Sequence, residues 1–256
     1  LLLATAWAGE GPASSGPSSR FFRRTLAVVL AVASVGVFVA SGARLGSEVL
    51  SRSALRGLSS ENPSTADAIR AHRRALALAP GNIEARRALV HAELLAGHPQ
   101  EAEDAAREAV ALAGDSLDWS WLGKALLAQG REDAAAEAFQ RAARLDPRRE
   151  SRAVYAAWTA LRRWERTQSR EAILALEEAL ERLRLINFRH PLIALSDGRL
   201  AEANGASRQA REVYRQGLAR LLPEPATPPA SPEEKELAAL EGQVRAILRQ
   251  EVEKGD

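Results

Sequence analysis

The sequence predicts an all-α protein: one N-terminal transmembrane helix followed by an α-solenoid of helical hairpins. Three observations predict it. Alanine, leucine, arginine and glutamate dominate the 256 residues while aromatics make up only 5%, a mix that favours helix nearly everywhere. Residues 25–43 contain no charged side chain. From there on, small and aromatic residues recur with the period of a helical pair.

The totals bound the chemistry. With 46% hydrophobic and 27% charged residues the chain has the composition of an ordinary folded protein. A net charge of +2 is nearly balanced and gives no reason to expect nucleic acid as a partner. The absence of cysteine excludes disulfides, zinc–thiolate sites and thiol nucleophiles. There is no methionine either, not even at position 1, so the chain reads as a fragment of something longer. Its start, LLLATAWA, looks like the tail of an apolar segment.

Residues 1–24 then comprise that tail and a short cytoplasmic loop rich in Gly, Pro and Ser. Residues 25–43, TLAVVLAVASVGVFVASGA, would extend about 28 Å as a helix, near the hydrocarbon thickness of a bilayer. Arg20, Arg23 and Arg24 precede it with Phe21 and Phe22 between them. Basic residues favour the cytoplasmic side and aromatic rings the interface. The expected location is the bacterial inner membrane, with everything after Arg44 on the extracytoplasmic, periplasmic side. Arg44, Arg52 and Arg56 vote the other way. A second reading is a cleavable signal peptide, with small residues at Ser41–Ala43 as the processing site.

The clearest hairpin runs from Ser116 to Pro147. Trp119, Leu122, Gly123 and Leu126 share one side of a first helix, and Gly130 ends it by accepting the left-handed conformation. Glu132 and Asp133 place negative charge at the start of a second helix. Ala135, Phe139 and Ala142 follow on one face, and Pro147 stops the unit. This unit resembles the tetratricopeptide repeat, whose period is 34 residues and whose small and aromatic positions match Trp119, Leu122, Gly123, Gly130, Ala135, Phe139, Ala142 and Pro147, with Leu126 in place of the usual tyrosine.

Other units are weaker but in register. Upstream, Leu89, Gly97, Ala102 and Ala109 fall at corresponding places. Before them, Ala68, Ala75 and Pro80 mark a second helix that Ser64 and Asp67 would cap. Downstream comes a unit stretched by about three residues at 165–169. The last unit carries Gly198, Gly205, Ala210 and Tyr214. The resemblance covers residues 50–222 and implies units stacked around a continuous core. Residues 223–232 are a proline-rich linker. In residues 233–253, Leu237, Leu240, Val244, Ile247 and Leu248 recur at helical spacing, a C-terminal amphipathic helix expected to cap the open end of the stack or to bind elsewhere.

No nucleotide loop, zinc box or nucleophile elbow is present, so no catalytic residue, metal site or cofactor is expected. His72, His91, His98 and His190 form no metal-spaced pair, and His72 falls on a packing face. Glu101, Glu103 and Asp104 read as a solvated helix start. Arg148, Arg149, Arg152, Arg162, Arg163, Arg166 and Arg170 form a basic region, read as a solvated face paired with nearby glutamates.

The repeat resemblance implies a concave groove lined by first helices. Carried onto this sequence, its positions are Arg87, Ser120, Val154 and Leu195, and His91, Lys124, Trp158 and Arg199. Such a groove suits a protein or peptide partner; the oligomeric state stays open. The functional expectation is a membrane-tethered scaffold for protein–protein interaction. The alternative is the tail of an enzyme, because a last span followed directly by such repeats resembles the C-terminal end of O-antigen ligase-type polytopic glycosyltransferases. Their catalytic arginines and histidine lie in upstream loops, so no residue is carried over.

Overall fold

The computed structural model describes residues 33, 41–49, 51, 65–221 and 231–254. Among them every regular element is helical: α1 (residues 41–49), α2 (Thr65–Leu78), α3 (Ile83–Leu95), α4 (Pro99–Leu112), α5 (Ser116–Ala128), α6 (Glu132–Leu145), α7 (Glu150–Thr167), α8 (Arg170–Ile186), α9 (Pro191–Ala203), α10 (Ser207–Ala219) and α11 (Pro232–Glu253). From α2 to α10 each helix packs on the next. In addition α3 touches α5 and α7 touches α9, so the first helices of successive hairpins form one layer and the second helices another. A helical hairpin cannot enclose its own apolar side. Stacking supplies the cover.

The local signals act where expected. Asp115 caps α5 by accepting from Leu117 N and Asp118 N, and Asp118 answers by accepting from Asp115 N, which satisfies otherwise orphaned amide groups. Gly130 has φ +72°, and the chain reverses there with Arg131 N donating to Leu126 O at 3.0 Å. Gly97 and Gly205 occupy the same position in their units, at φ +77° and +76°. The stretched unit takes up its extra residues in helix: α7 has 18 residues and α8 has 17, against 13 for α5. Its turn carries Gln168 at φ 52°, where the others use glycine.

The core runs through the stack without a break. Val90, Leu126, Phe139, Leu161, Leu176, Leu192 and Tyr214 belong to one cluster, with alanines between them. Small side chains let the helix axes approach closely, and a few large ones fill what is left.

Two sequence expectations need correction. Among the described residues no helix is long and apolar enough to cross a membrane. The fold is an all-α solenoid, and the N-terminal transmembrane helix does not stand as part of it. The physical reason is visible in the helices themselves: charged side chains interrupt each of them every turn or two, so none offers an apolar run of bilayer length. Within α1, Arg44 and Glu48 already pair at 3.9 Å, while buried Ser47 accepts a hydrogen bond from Asn82 at 2.6 Å, tying this segment to the repeats. Most of residues 25–43, the loop over 1–24 and the cap residue Ser64 lie outside the described residues, and so does the segment from which sidedness was read. The likeness to ligase-type glycosyltransferases needed that span and loses the element that carried it.

The second correction concerns Glu103. It is 2% exposed, not part of a solvated start. It accepts from Arg131 at 2.7 Å, from Gln129 at 2.8 Å and from Arg107 at 2.6 Å. Gln129 and Arg131 belong to the next hairpin, so this carboxylate fastens one unit to the following one.

Candidate binding groove

The layer of first helices presents a trough, and α11 crosses it. At the far end α11 packs on α9 and α10, with Val244 and Leu248 fully buried in the common core. There it does cover the open end of the stack. Its first turns, however, run back over the face of α7 towards α5. Glu233 accepts from Arg149 at 3.3 Å and also from Ser151 and Arg152. One turn on, Glu236 pairs with Lys124 of α5 and accepts from the Tyr155 hydroxyl at 3.3 Å. Near the other end Arg199 of α9 donates to Glu251 at 3.1 Å. Three successive first helices therefore each hold an acid of α11. Ser231 starts the helix with a capping box closed by Glu234.

Electrostatics follow from that geometry. Burial works against the charge on Glu233, but the Ser151 hydroxyl and the Arg152 and Arg149 guanidiniums overcome it and hold the carboxyl down at about 2. Burial, and next the charge of Glu236, push the Tyr155 hydroxyl up, so it stays a donor. Lys124 also sits 4.5 Å over the ring of Trp121 and 5.4 Å over that of Tyr155. Such cation–π contacts favour a cation that has lost part of its water.

Beyond the first turn of α11 the groove stays open. A cleft of about 490 Å³ lies between α3, α5, the start of α7 and the first turn of α11, walled by Arg87, His91, Ser120, Trp121, Lys124 and Arg152 among others. Arg87 is fixed on its wall by Asp118 at 2.7 Å and Asp115 at 2.5 Å. Burial disfavours its charge, yet those two carboxylates more than compensate and raise its pKa. His91 packs against Trp121, ring centres 5.5 Å apart. Burial lowers its pKa; Glu236 pulls the other way and Lys124 adds to the lowering. It is a neutral wall residue near pH 7. Ser120 Oγ is buried and finds no partner among the described residues.

The eight groove positions read from the sequence divide. Arg87, His91, Ser120 and Lys124 come together around the cleft. Val154 and Leu195 are enclosed in the core. Arg199 is taken up by Glu251 and Glu202, and Trp158 is half-buried with Arg162 over its ring at 6.0 Å. Sequence reading missed Trp121, Ser151 and Tyr155, and the acids Glu233 and Glu236 that α11 brings from far along the chain. The basic region splits as well. Arg162, Arg163 and Arg166 pair with Glu132 and Asp133 of α6, whereas Arg149 and Arg152 belong to the groove. Among the described residues no three His, Asp or Glu side chains gather where a metal ion could sit.

Comparison with known proteins agrees with this geometry. Residues 116–149 match the tetratricopeptide repeat model, so the hairpin α5–α6 is such a repeat. Among solved structures, MamA is similar at 22% identity and TM-score 0.53, over 61% of this chain and 88% of MamA. YrrB, described as a TPR protein with an unusual peptide-binding site, is similar at 14% identity and TM-score 0.51, over 68% of this chain and 84% of YrrB. A tetratricopeptide repeat protein of Parabacteroides merdae reaches TM-score 0.58 at 12% identity, over 82% of this chain and 78% of its own. At such identities the likeness is one of fold. No curated protein sequence matches the chain.

Proposed function

We propose that this chain is an interaction scaffold that holds a partner protein by a segment laid into the groove of its first helices. The observation that carries this reading is that the groove already holds a helix: Lys124, Arg152 and Arg199, on α5, α7 and α9, each grip one acid of α11. A surface that orders one amphipathic helix has the side chains to order another, as helix-in-groove recognition requires. The repeat match supports a scaffold role, and the likeness to YrrB supports a peptide segment as the bound element.

The test is peptide selection on the intact chain, from a random library, followed by hydrogen exchange with the selected peptides bound. Protection is expected on α3, α5 and the first turns of α7. Protection confined to α4, α6 and α8, the outer layer, would overturn the reading.

A further inference from the structure

We propose that the first turns of α11 stand in for the partner: the cationic stretch of the groove formed by Lys124, Arg149 and Arg152 receives an acidic segment of a partner protein, which displaces Glu233 and Glu236 to bind. This rests on the groove reading above and adds the chemistry of the bound segment and an internal competitor for it.

The argument starts from what each cation has for company. On the cleft walls, Arg87 is neutralised by its own neighbours Asp115, Asp118 and Glu84. Lys124, Arg149 and Arg152 are different: the acids found paired with them are Glu236 and Glu233 of α11. Lys124 and Arg152 are also largely withdrawn from water, with side chains 12% and 5% exposed. Partly buried cations without a counter-charge are costly. Lifting the first turns of α11 would leave two such cations, Lys124 and Arg152, with the more exposed Arg149 beside them, so the site calls for carboxylates. Glu233 and Glu236 supply two, a single helical turn apart.

The two halves of α11 are held differently, which makes partial release physically reasonable. Its far half is anchored by apolar burial at Val244 and Leu248. Its first turns are held by ion pairs and hydrogen bonds, on acids whose side chains stay 28% and 38% exposed, with Leu237 and Leu240 only partly buried against the core. A competing carboxylate can take the place of these acids, because they keep a side open to water. The open cleft lies directly beside them, so an incoming segment can dock before the exchange takes place.

The test uses the full chain and a labelled synthetic peptide of sequence SPEEKELAALEGQ, the chain's own residues 231–243. In the double variant Glu233→Gln, Glu236→Gln the internal acids no longer compete. Peptide affinity is expected to rise about tenfold over the parent chain, as a larger fraction of molecules becomes competent. Adding Lys124→Glu and Arg152→Glu should abolish that gain, and a control peptide with Gln at every Glu should not bind. Equal affinity for parent and double variant, or equal binding of the control peptide, would overturn the proposal. A measurement on the unaltered chain guards against a variant that fails to fold. Saturating peptide should speed amide exchange over residues 233–240 and leave 244–253 protected, and no change over 233–240 would refute displacement. Library peptides could still map to the groove in that case, so the wider reading is judged separately.

Discussion

A methyl group on Gly123 would lie 2.9 Å from the ring of Phe139, so the missing side chain at Gly123 is what lets that ring lie against α5. Phe139 is fully enclosed and stacks on Tyr155, ring centres 4.9 Å apart and 12° from parallel. The same relation joins Gly198 to Tyr214, where an added Cβ would meet the ring at 2.0 Å. At the equivalent places of the hairpin α3–α4 stand Val90 and Ala106, both fully buried. There the larger side chain is on the first helix and the smaller on the second. Each pair fills one gap, and volume can come from either side.

That complementarity predicts coupling. Phe139→Ala should destabilise by about 3–5 kcal/mol, the cost of emptying a large buried site. Gly123→Val alone should destabilise by roughly 1–3 kcal/mol through overpacking. The double variant copies the Val90–Ala106 arrangement, so its cost should fall short of the sum by at least about 1 kcal/mol. Urea titration of the four proteins in the cycle measures this. Additive costs would show that the two positions do not share a gap.

Glu103 should matter more than an acid near a helix start usually does. Removing it as Glu103→Ala leaves two arginines without their acceptor, while Gln129 keeps its bond to Pro99 O at 3.0 Å. Arg107 and Arg131 are about half exposed, so water takes over part of the loss, and roughly 1.5–3 kcal/mol of destabilisation is expected. Glu101→Ala, two residues earlier and exposed, should cost less than about half a kcal/mol. Comparing their denaturation midpoints decides it.

His72 gives the fold a pH dependence. It is wholly enclosed, with Ser51 Oγ 3.3 Å from its Nδ1. Burial, with a smaller contribution from His91, lowers its pKa to about 4 from 6.5. The unfolded chain therefore binds the proton first. Stability is complete above pH 6.5 and drains away as the pH falls from there towards 4, by roughly 2–3 kcal/mol from this group. Glu233, held at about 2, adds a further loss below pH 4.5. Unfolding midpoints measured between pH 7 and 4 should fall in the parent chain, and the slope over that window should be shallower in His72→Leu. An unchanged slope in the variant would remove His72 from the account.

Gln168 holds a left-handed backbone conformation at φ 52°, which an L residue other than glycine adopts at a cost. Gln168→Gly should stabilise by roughly 0.5–1 kcal/mol, the relief of strain being partly offset by the greater freedom of glycine when unfolded. Thermal melts of parent and variant suffice to check the sign.

The hairpin from Ser116 to Pro147 could be read residue by residue because its signals act over short range. Asp115 caps amides two and three residues on, Gly130 turns the chain where it stands, and Phe139 shares a face with Ala135 and Ala142 one turn away on either side. Arg87, His91, Ser120 and Lys124 line one cleft for the same reason, since one repeat unit carries its own inside and outside. The sequence by itself thus determined a stack of helical hairpins with a trough along it. Only the tertiary structure decided what lies in that trough. A helix with one apolar stripe can bury it on any suitable surface. The pairing of Lys124 with Glu236, 112 positions apart, and of Arg152 with Glu233 has no local trace, because neither partner's spacing depends on the other. Glu103 teaches the same: whether an acid on a helix is solvated or enclosed is settled by the guanidinium that the next hairpin brings to it.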